Sequence, residues 1–284
     1  AGSKPAARIA KYSASSSWAS GSVTEATRKT GCTPSSVDRL DGMAYSVAVV
    51  GASGRMGALA TRLIEASDDF EVHSRLGSRD SLDAIAGADL VLDVTLPAVS
   101  PDVVEAAVAR GIPVLVGTSG WTAERLQRVR SRLGDDPQLG VIVVPNFSLG
   151  SVVATRLATI AAPYFDSIEI IEAHHAGKSD SPSGTAIRTA ELIAEARAER
   201  GPVAAPHADQ RARGQQVASV PVHSLRMDGV LAEQQVIFGG VGETMRISHQ
   251  TVSDASYEAG ILLALRKLPE ARGLVVGLDS LLGL

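Results

Sequence analysis

From Tyr45 onward, short apolar runs alternate with stretches in which apolar residues recur every three or four positions. "YSVAVVG" and "FEVHSRLG", followed by "DLVLDVTLP" (89–97), "IPVLVGTSG" (112–120) and "LGVIVVPNF" (139–147), read as five strands. Runs that are apolar almost throughout suit a sheet buried on both faces, where neither side of a strand meets water. Between the first two, Met56, Leu59, Ala60, Leu63 and Ile64 fall on one face of a helix. "PDVVEAAVARG" and "WTAERLQRVRSRLG" read as two more helices, the second capped by Thr122 and ended by Gly134. Strands alternating with helices predict a parallel sheet, which right-handed crossovers turn into a doubly wound, Rossmann-like layer.

Beyond Gly150 the rhythm changes. "SVVATRLATIAA" predicts a helix, "DSIEIIEA" a strand and "GTAIRTAELIAEARAER" another helix. The polar stretch "AAPHADQRARGQQ" predicts a loop. "SVPVHSLRMDG", "AEQQVIFG" and "ETMRISHQT" are strand-like runs separated by turn residues, and "SYEAGILLALRKL" is a last helix. The whole is α/β: a doubly wound parallel sheet joined to a smaller α+β substrate or oligomerisation domain with an open mixed sheet.

Residues 1–42 break from this pattern. "KYSASSSWASGSVTEATRKTG" is rich in Ser, Ala, Thr and Gly, and burial there cannot offset the entropy of ordering. Disorder is expected. The segment lacks the apolar core of a signal peptide. It reads as an upstream extension before Met43 or as a basic, Ser-rich transit segment, and composition favours the extension.

Bulk properties narrow the function. A net charge of −4 gives no general grip on nucleic acid, and 4% aromatic residues offer no stacking platform. No apolar run approaches the roughly 18–20 residues that span a bilayer, so no membrane partner is expected. The single Cys is Cys32, so no intrachain disulfide can form, and a cytoplasmic location is expected.

"GASGRMG" places Gly51, Gly54 and Gly57 between a strand and a helix. Glycines there allow a tight turn and close approach of a pyrophosphate to the helix N-terminus. The spacing is G-x-x-G-x-x-G, and a tight turn with no ligand is the alternative. At the end of the second strand, NAD binders place an acid for the ribose hydroxyls and NADP binders place cations for the 2′-phosphate. Here Gly77 holds that place, followed by Ser78, Arg79 and Asp80. Arg79 with Ser78 suits a 2′-phosphate, which leans the cofactor modestly toward NADPH over NADH; a solvated turn is the alternative.

"EAHHAGKSDSPSGTA", Glu172 to Ala186, is a strand end, a loop with two His and a Lys, and a new helix capped by Ser183. A helix N-terminus attracts anions, His passes protons near neutral pH, and Lys holds a carboxylate or donates a proton. The stretch therefore reads as a site where an anionic substrate takes a hydride and a proton. Surface or structural His and a metal site remain alternatives, although no Cys or acidic cluster accompanies the pair and no metal is expected.

From Met43 to Leu284 the chain resembles the 4-hydroxy-tetrahydrodipicolinate reductase (dihydrodipicolinate reductase) family of lysine and diaminopimelate biosynthesis, its actinobacterial branch especially. The opening of the site matches the family's E-x-H-H-x-x-K-x-D-x-P-S-G-T-A, while "GASGRMG", "GTSGW", "VPNFSLG" and "GLDSLLGL" are also family-like. The resemblance implies His174 as proton donor or acceptor and Lys178 as proton donor. It implies that His175, Gly184 and Thr185, with Ser183, bind the dicarboxylate. Gly51, Ala52, Ser53, Gly54, Arg55 and Met56 would cradle the pyrophosphate. Gly117, Thr118 and Ser119, with Val144, Pro145, Asn146 and Phe147, would line the nicotinamide side and the hinge. It also implies a nucleotide domain of residues 43–150 and 258–284, a substrate domain of 151–257, and a homotetramer joined through the substrate-domain sheets. Departures from the family are Gly177 before the Lys, Gly77 in place of an acid, Glu233 in place of His and Asp254 in place of Arg. A non-catalytic dinucleotide-binding sensor and a different reductase on the same fold are the rival functions.

Overall fold

The computed structural model describes residues 44–135 and 137–284. The expected disorder of residues 1–42 lies outside the described residues. The first sheet collects β1 (Tyr45–Val50), β2 (Phe70–Leu76), β3 (Leu90–Asp93), β4 (Val114–Val116), β5 (Gly140–Val143) and β11 (Gly273–Val276), in the order β2-β1-β3-β4-β5-β11. All its pairings are parallel. Side-chain alternation along β1 divides the core. Val47 and Val49 face the layer holding Leu59, Ile64, Ile261 and Leu265, which lie on α1 (Arg55–Glu65) and α6 (Glu258–Lys267). Ala48 and Val50 face the layer holding Val103 and Val104 of α2 (Ser100–Ala109) and Val129 of α3 (Ala123–Leu133). Helices on both faces explain why these strands are apolar throughout. Thr122 caps α3, accepting from the Arg125 N–H, and Gly134 ends it at φ 81°.

The second sheet comprises β6 (Ser167–His174), β7 (Gln215–Val217), β8 (Val220–Arg226), β9 (Ala232–Gly240) and β10 (Glu243–Thr251). Its order is β10-β9-β6-β8-β7. β6 runs parallel to β8 and antiparallel to β9, so the sheet is mixed. Ile168, Ile170, Val222, Val236 and Phe238 face α4 (Leu149–Ala161) and α5 (Gly184–Ala196) through Ala158, Ala186, Ala190 and Ile193. The opposite face carries Glu169, Arg213 and His223 in one ion-paired cluster.

The structure differs from the sequence reading in three ways. β7 forms inside the stretch expected to be loop, pairing with β8 over three residues. β11 and the short helix α7 (Leu278–Leu282) follow α6, and β11 pairs with β5. The expected strands over 89–97, 112–120 and 139–147 are shorter, because their last residues leave the sheet to form loops at its C-terminal edge.

Candidate active site

The glycine loop joins β1 to α1. Gly51 has φ +90°, and a Cβ there would lie 2.6 Å from the Val94 carbonyl oxygen. A Cβ on Gly57 would lie 2.1 Å from the Gly51 oxygen. Both positions thus admit only Gly, for backbone packing. Gly54 is the N-cap of α1, with no side-chain cap and no acid in the first turn. The first N–H groups of a helix have no partner within it, so this end is free to receive an anion. The N–H groups of Gly51 and Ala52 donate to the Leu76 oxygen at 2.8 and 3.0 Å, tying the loop to the end of β2.

At that end the structure adds a feature. The Gly77 N–H donates to Asp80 Oδ2 at 2.7 Å. A Cβ on Gly77 would lie 3.6 Å from that oxygen and 3.7 Å from Ser53 Oγ. The turn folds back, and the Asp80 carboxylate stands where a side chain at position 77 would have pointed. Ser78 and Arg79 are exposed beside it.

The loops after β3, β4 and β5 form the next wall. Asp93, fully buried at the end of β3, accepts from the Thr95 N–H at 3.0 Å, the Thr95 hydroxyl at 2.6 Å and the Thr118 hydroxyl at 3.1 Å. It also accepts from the Ser100 hydroxyl. Thr118 therefore faces inward, while Ser119 is exposed. Gly117 leaves room for the Phe147 ring, which a Cβ would approach to 2.5 Å. Val144 is buried in the core. Asn146 is spent on its neighbours: its amide donates to Ser151 Oγ at 2.9 Å, and its Oδ1 accepts from the Ser148 N–H at 2.9 Å.

β6 ends at His174. Two residues earlier, Glu172 is wholly buried. Its carboxylate accepts from His174 Nδ1 at 2.7 Å, from the Ser183 N–H at 3.0 Å and from both terminal nitrogens of Arg226 at 2.9 Å. A carboxylate can only accept, so Nδ1 carries the proton. Arg226 also donates to the Asp180 carbonyl at 2.7 Å. Lys178 Nζ sits against both oxygens of Asp180 at 2.7 and 2.9 Å. Ser183 caps α5, accepting from the Ala186 N–H at 3.2 Å, and a Cβ on Gly184 would meet nothing within 4 Å.

One cavity of about 220 Å³ joins these parts. Arg55, Met56, Gly117, Pro145, Asn146 and Phe147 line one side, and His174, Ser183 and Thr185 line the other. His175, Lys178 and Gly184 lie on the adjoining loop and helix start, outside the lining, as do Gly51 to Gly54, Ser78, Arg79, Thr118, Ser119 and Val144. The sequence reading missed Ser151, Gln234, His249, Thr251 and Tyr257, all of which line the cavity, and it gave no role to Glu172 or Arg226. Only Glu172 offered a signal, as a charged residue inside the apolar run "IEIIEA". Among the described residues, no group of three or more His, Cys, Asp or Glu is placed to hold a metal ion.

Burial holds the His174 ring below its ordinary pKa; Glu172 opposes this, and the charges of Lys178 and Arg226 reinforce it. Burial also lowers His249. Burial alone would raise Glu172, but hydrogen bonds from Arg226, Ser224, His174 and the Ser183 N–H outweigh it and the carboxyl falls below its usual range. The signs agree. Below the ordinary His value of 6.5, the unfolded chain takes up protons that the folded rings refuse, so stability declines as pH falls from there. Glu172 contributes stability that is present above 4.5 and lost as pH falls through its lower folded value. Melting temperatures measured from pH 8 down to about pH 3 should fall in two stages, the first beginning near 6.5 and the second near 4.5.

The chain matches the family models for the dihydrodipicolinate reductase N-terminus over residues 45–147 and C-terminus over residues 150–282. It belongs to the dihydrodipicolinate reductase family. A 4-hydroxy-tetrahydrodipicolinate reductase of Clavibacter sepedonicus is 61% identical over 240 residues, covering 84% of this chain and 87% of the relative. One of Streptomyces coelicolor is 45% identical over 244 residues, covering 84% and 98%. The solved structure of a dipicolinate-bound dihydrodipicolinate reductase from Paenisporosarcina sp. TG-14 superposes with a TM-score of 0.71 at 30% identity, covering 84% of this chain and 99% of that one. A probable dehydrogenase from Thermotoga maritima, 12% identical with a TM-score of 0.53 over 83% and 92% of the two chains, shares the fold alone. The doubly wound sheet with a second mixed sheet is thus the family's architecture.

Proposed function

We propose that the chain reduces 4-hydroxy-tetrahydrodipicolinate to tetrahydrodipicolinate with NAD(P)H, in lysine and diaminopimelate biosynthesis. The observation that carries this reading is the cavity bounded by Arg55, Met56 and the loops after β4 and β5 on one side and by His174, Ser183 and Thr185 on the other. When bound, the nicotinamide supplies a hydride to the cyclic imine left after the substrate loses water. The open N-terminus of α1, with Gly51, Ala52, Ser53, Gly54, Arg55 and Met56, holds the pyrophosphate. Gly117 to Ser119 and Val144 to Phe147 shape the nicotinamide side. The N–H groups at Gly184 and Thr185 and the side chains of His175 and Lys178 hold the carboxylates. His174, with Nε2 free, and Lys178 handle the proton, and closure excludes water.

In this reading the nucleotide domain is residues 43–150 and 258–284, and residues 151–257 form the substrate and oligomerisation domain. A cytoplasmic homotetramer joins through the open face of the second sheet. The test is oxidation of NADPH and NADH with substrate generated by the preceding synthase. No oxidation, with dipicolinate failing to protect the chain from heat, would favour a non-catalytic sensor. Protection without turnover would favour a site that binds the dicarboxylate but has lost the chemistry, and turnover of another substrate without protection would favour a different reductase.

Both cofactors are accepted, with NADPH preferred by about tenfold, equivalent to roughly 1.4 kcal/mol. Arg79 and Ser78 receive the 2′-phosphate; a well-formed charged contact is worth about 1.5–3 kcal/mol, and exposure and salt reduce it. The carboxylate of Asp80, held at the turn by the Gly77 N–H, works the other way and keeps the preference modest. Arg79→Ala should lower kcat/KM for NADPH selectively, by about tenfold. Asp80→Asn should raise the NADPH/NADH ratio, and Gly77→Asp should lower it. Equal losses with both cofactors in Arg79→Ala would remove Arg79 from the site.

A further inference from the structure

Glu172 and Arg226 have no part in the roles assigned above, yet the wholly buried Glu172 carboxylate accepts from His174, from the Ser183 N–H and from both terminal nitrogens of Arg226. A carboxylate beside an imidazole ordinarily makes the ring more basic. Here both carboxylate oxygens are already engaged by Arg226, which comes from β8, while Glu172 and His174 share β6. The Ser183 N–H closes the same carboxylate onto the start of α5. The pair therefore joins two strands, the loop carrying Lys178 and the helix end facing the cavity.

We infer that Glu172 and Arg226 are positioning residues for His174. Glu172 holds the ring through Nδ1 and leaves Nε2 as the nitrogen open to the cavity. Arg226 cancels the carboxylate's charge, so that the ring takes its proton together with the anionic substrate rather than before it. The surrounding charges fit this. Lys178 is paired with Asp180 on the loop, and Arg226 faces the ring from β8. Glu233 of β9 and His249 of β10 line the same cavity, as do Arg55 and Tyr257 from the nucleotide side, where Arg55 lies 3.8 Å from Asp254. A dicarboxylate in the cavity lined by His174 and Arg55 adds two negative charges beside the ring, which favour its protonation against burial and the charges of Lys178 and Arg226.

The inference rests on the reading of His174 as the proton-handling group. The test is an NMR titration of the His174 ring in the full chain without substrate, its signal identified by loss in His174→Asn. Arg226→Gln should raise the titration midpoint by about one pH unit or more, because Glu172 is no longer neutralised. Glu172→Gln should lower it, because Arg226 is left unopposed. Saturating dipicolinate should raise the wild-type midpoint. If Arg226→Gln does not fold, the same comparison is made by adding it to Glu172→Gln, where it should again raise the midpoint. A purely structural pair would cost stability without moving the ring in opposite directions. Midpoints that do not move, or that move the same way in both variants, would overturn the inference. Because no turnover is needed, failure of wild type to reduce the substrate would strike the proposed reaction and not this network.

Discussion

Replacing His174 or Lys178 by Ala is expected to lower kcat by about 10²–10⁴-fold while leaving the fold intact. In the proposed reaction each supplies a group that holds or passes a proton at the cavity edge, and neither belongs to an apolar core cluster. Without His174, Glu172 keeps its bonds to Arg226 and to the Ser183 N–H, so no buried charge is stranded. Lys178 loses only its contact with Asp180, whose side chain is 61% exposed, and ion pairs of that kind contribute little to stability. Melting temperatures should stay near wild type. The double variant should lose much less than the product of the two single losses, because both residues act on one proton event. Near-normal kcat in both single variants would remove them from the proton path.

The contiguous parts of the site were readable in the sequence because one strand–loop–helix segment carries them. His174, Lys178 and the Ser183 cap lie within ten residues, and their chemistry follows from residue type and order. The glycine loop was readable for the same reason, since strand, turn and helix adjoin there. What was not readable depends on distant partners. Arg226 is 54 positions from Glu172, and nothing in "VHSLRMDG" reveals which carboxylate it neutralises. Gln234, His249 and Tyr257 reach the cavity from β9, β10 and the turn before α6, and only the sheet order brings them there. Asp80 reads as an ordinary turn acid until the chain folds it back onto the Gly77 N–H. β11 was missed because four residues, opening on Gly273 and followed by Gly277, give too short a pattern; its parallel pairing with β5 supplies the missing signal.

Gly260→Ala is expected to give the largest loss of stability. Gly260 is buried in the first turn of α6, in a helix where Ala would ordinarily be favoured by about 1 kcal/mol. A Cβ there would lie 1.9 Å from the Phe147 carbonyl oxygen and 2.8 Å from its carbon. Both obstacles are backbone atoms, so no rotamer change relieves the overlap. Either α6 must retreat from the sheet or residues 145–147 must move. Phe147 cannot yield easily, because its ring is already seated in the space left by Gly117. Overpacking of a core costs about 1–3 kcal/mol, and more where backbone must shift, so a loss of at least about 3 kcal/mol is expected. At roughly 2–4 °C per kcal/mol for a body of this size, the melting temperature should fall by about 6–12 °C. The exposed neighbour supplies the control, since Ala259→Ser should stay within about 0.5 kcal/mol of wild type. Cofactor affinity should fall along with stability, because Pro145, Asn146 and Phe147 line the cavity. A Gly260→Ala chain that melts with wild type would show that α6 does not press on this segment, and the link from the C-terminal helix to the cavity wall would be lost.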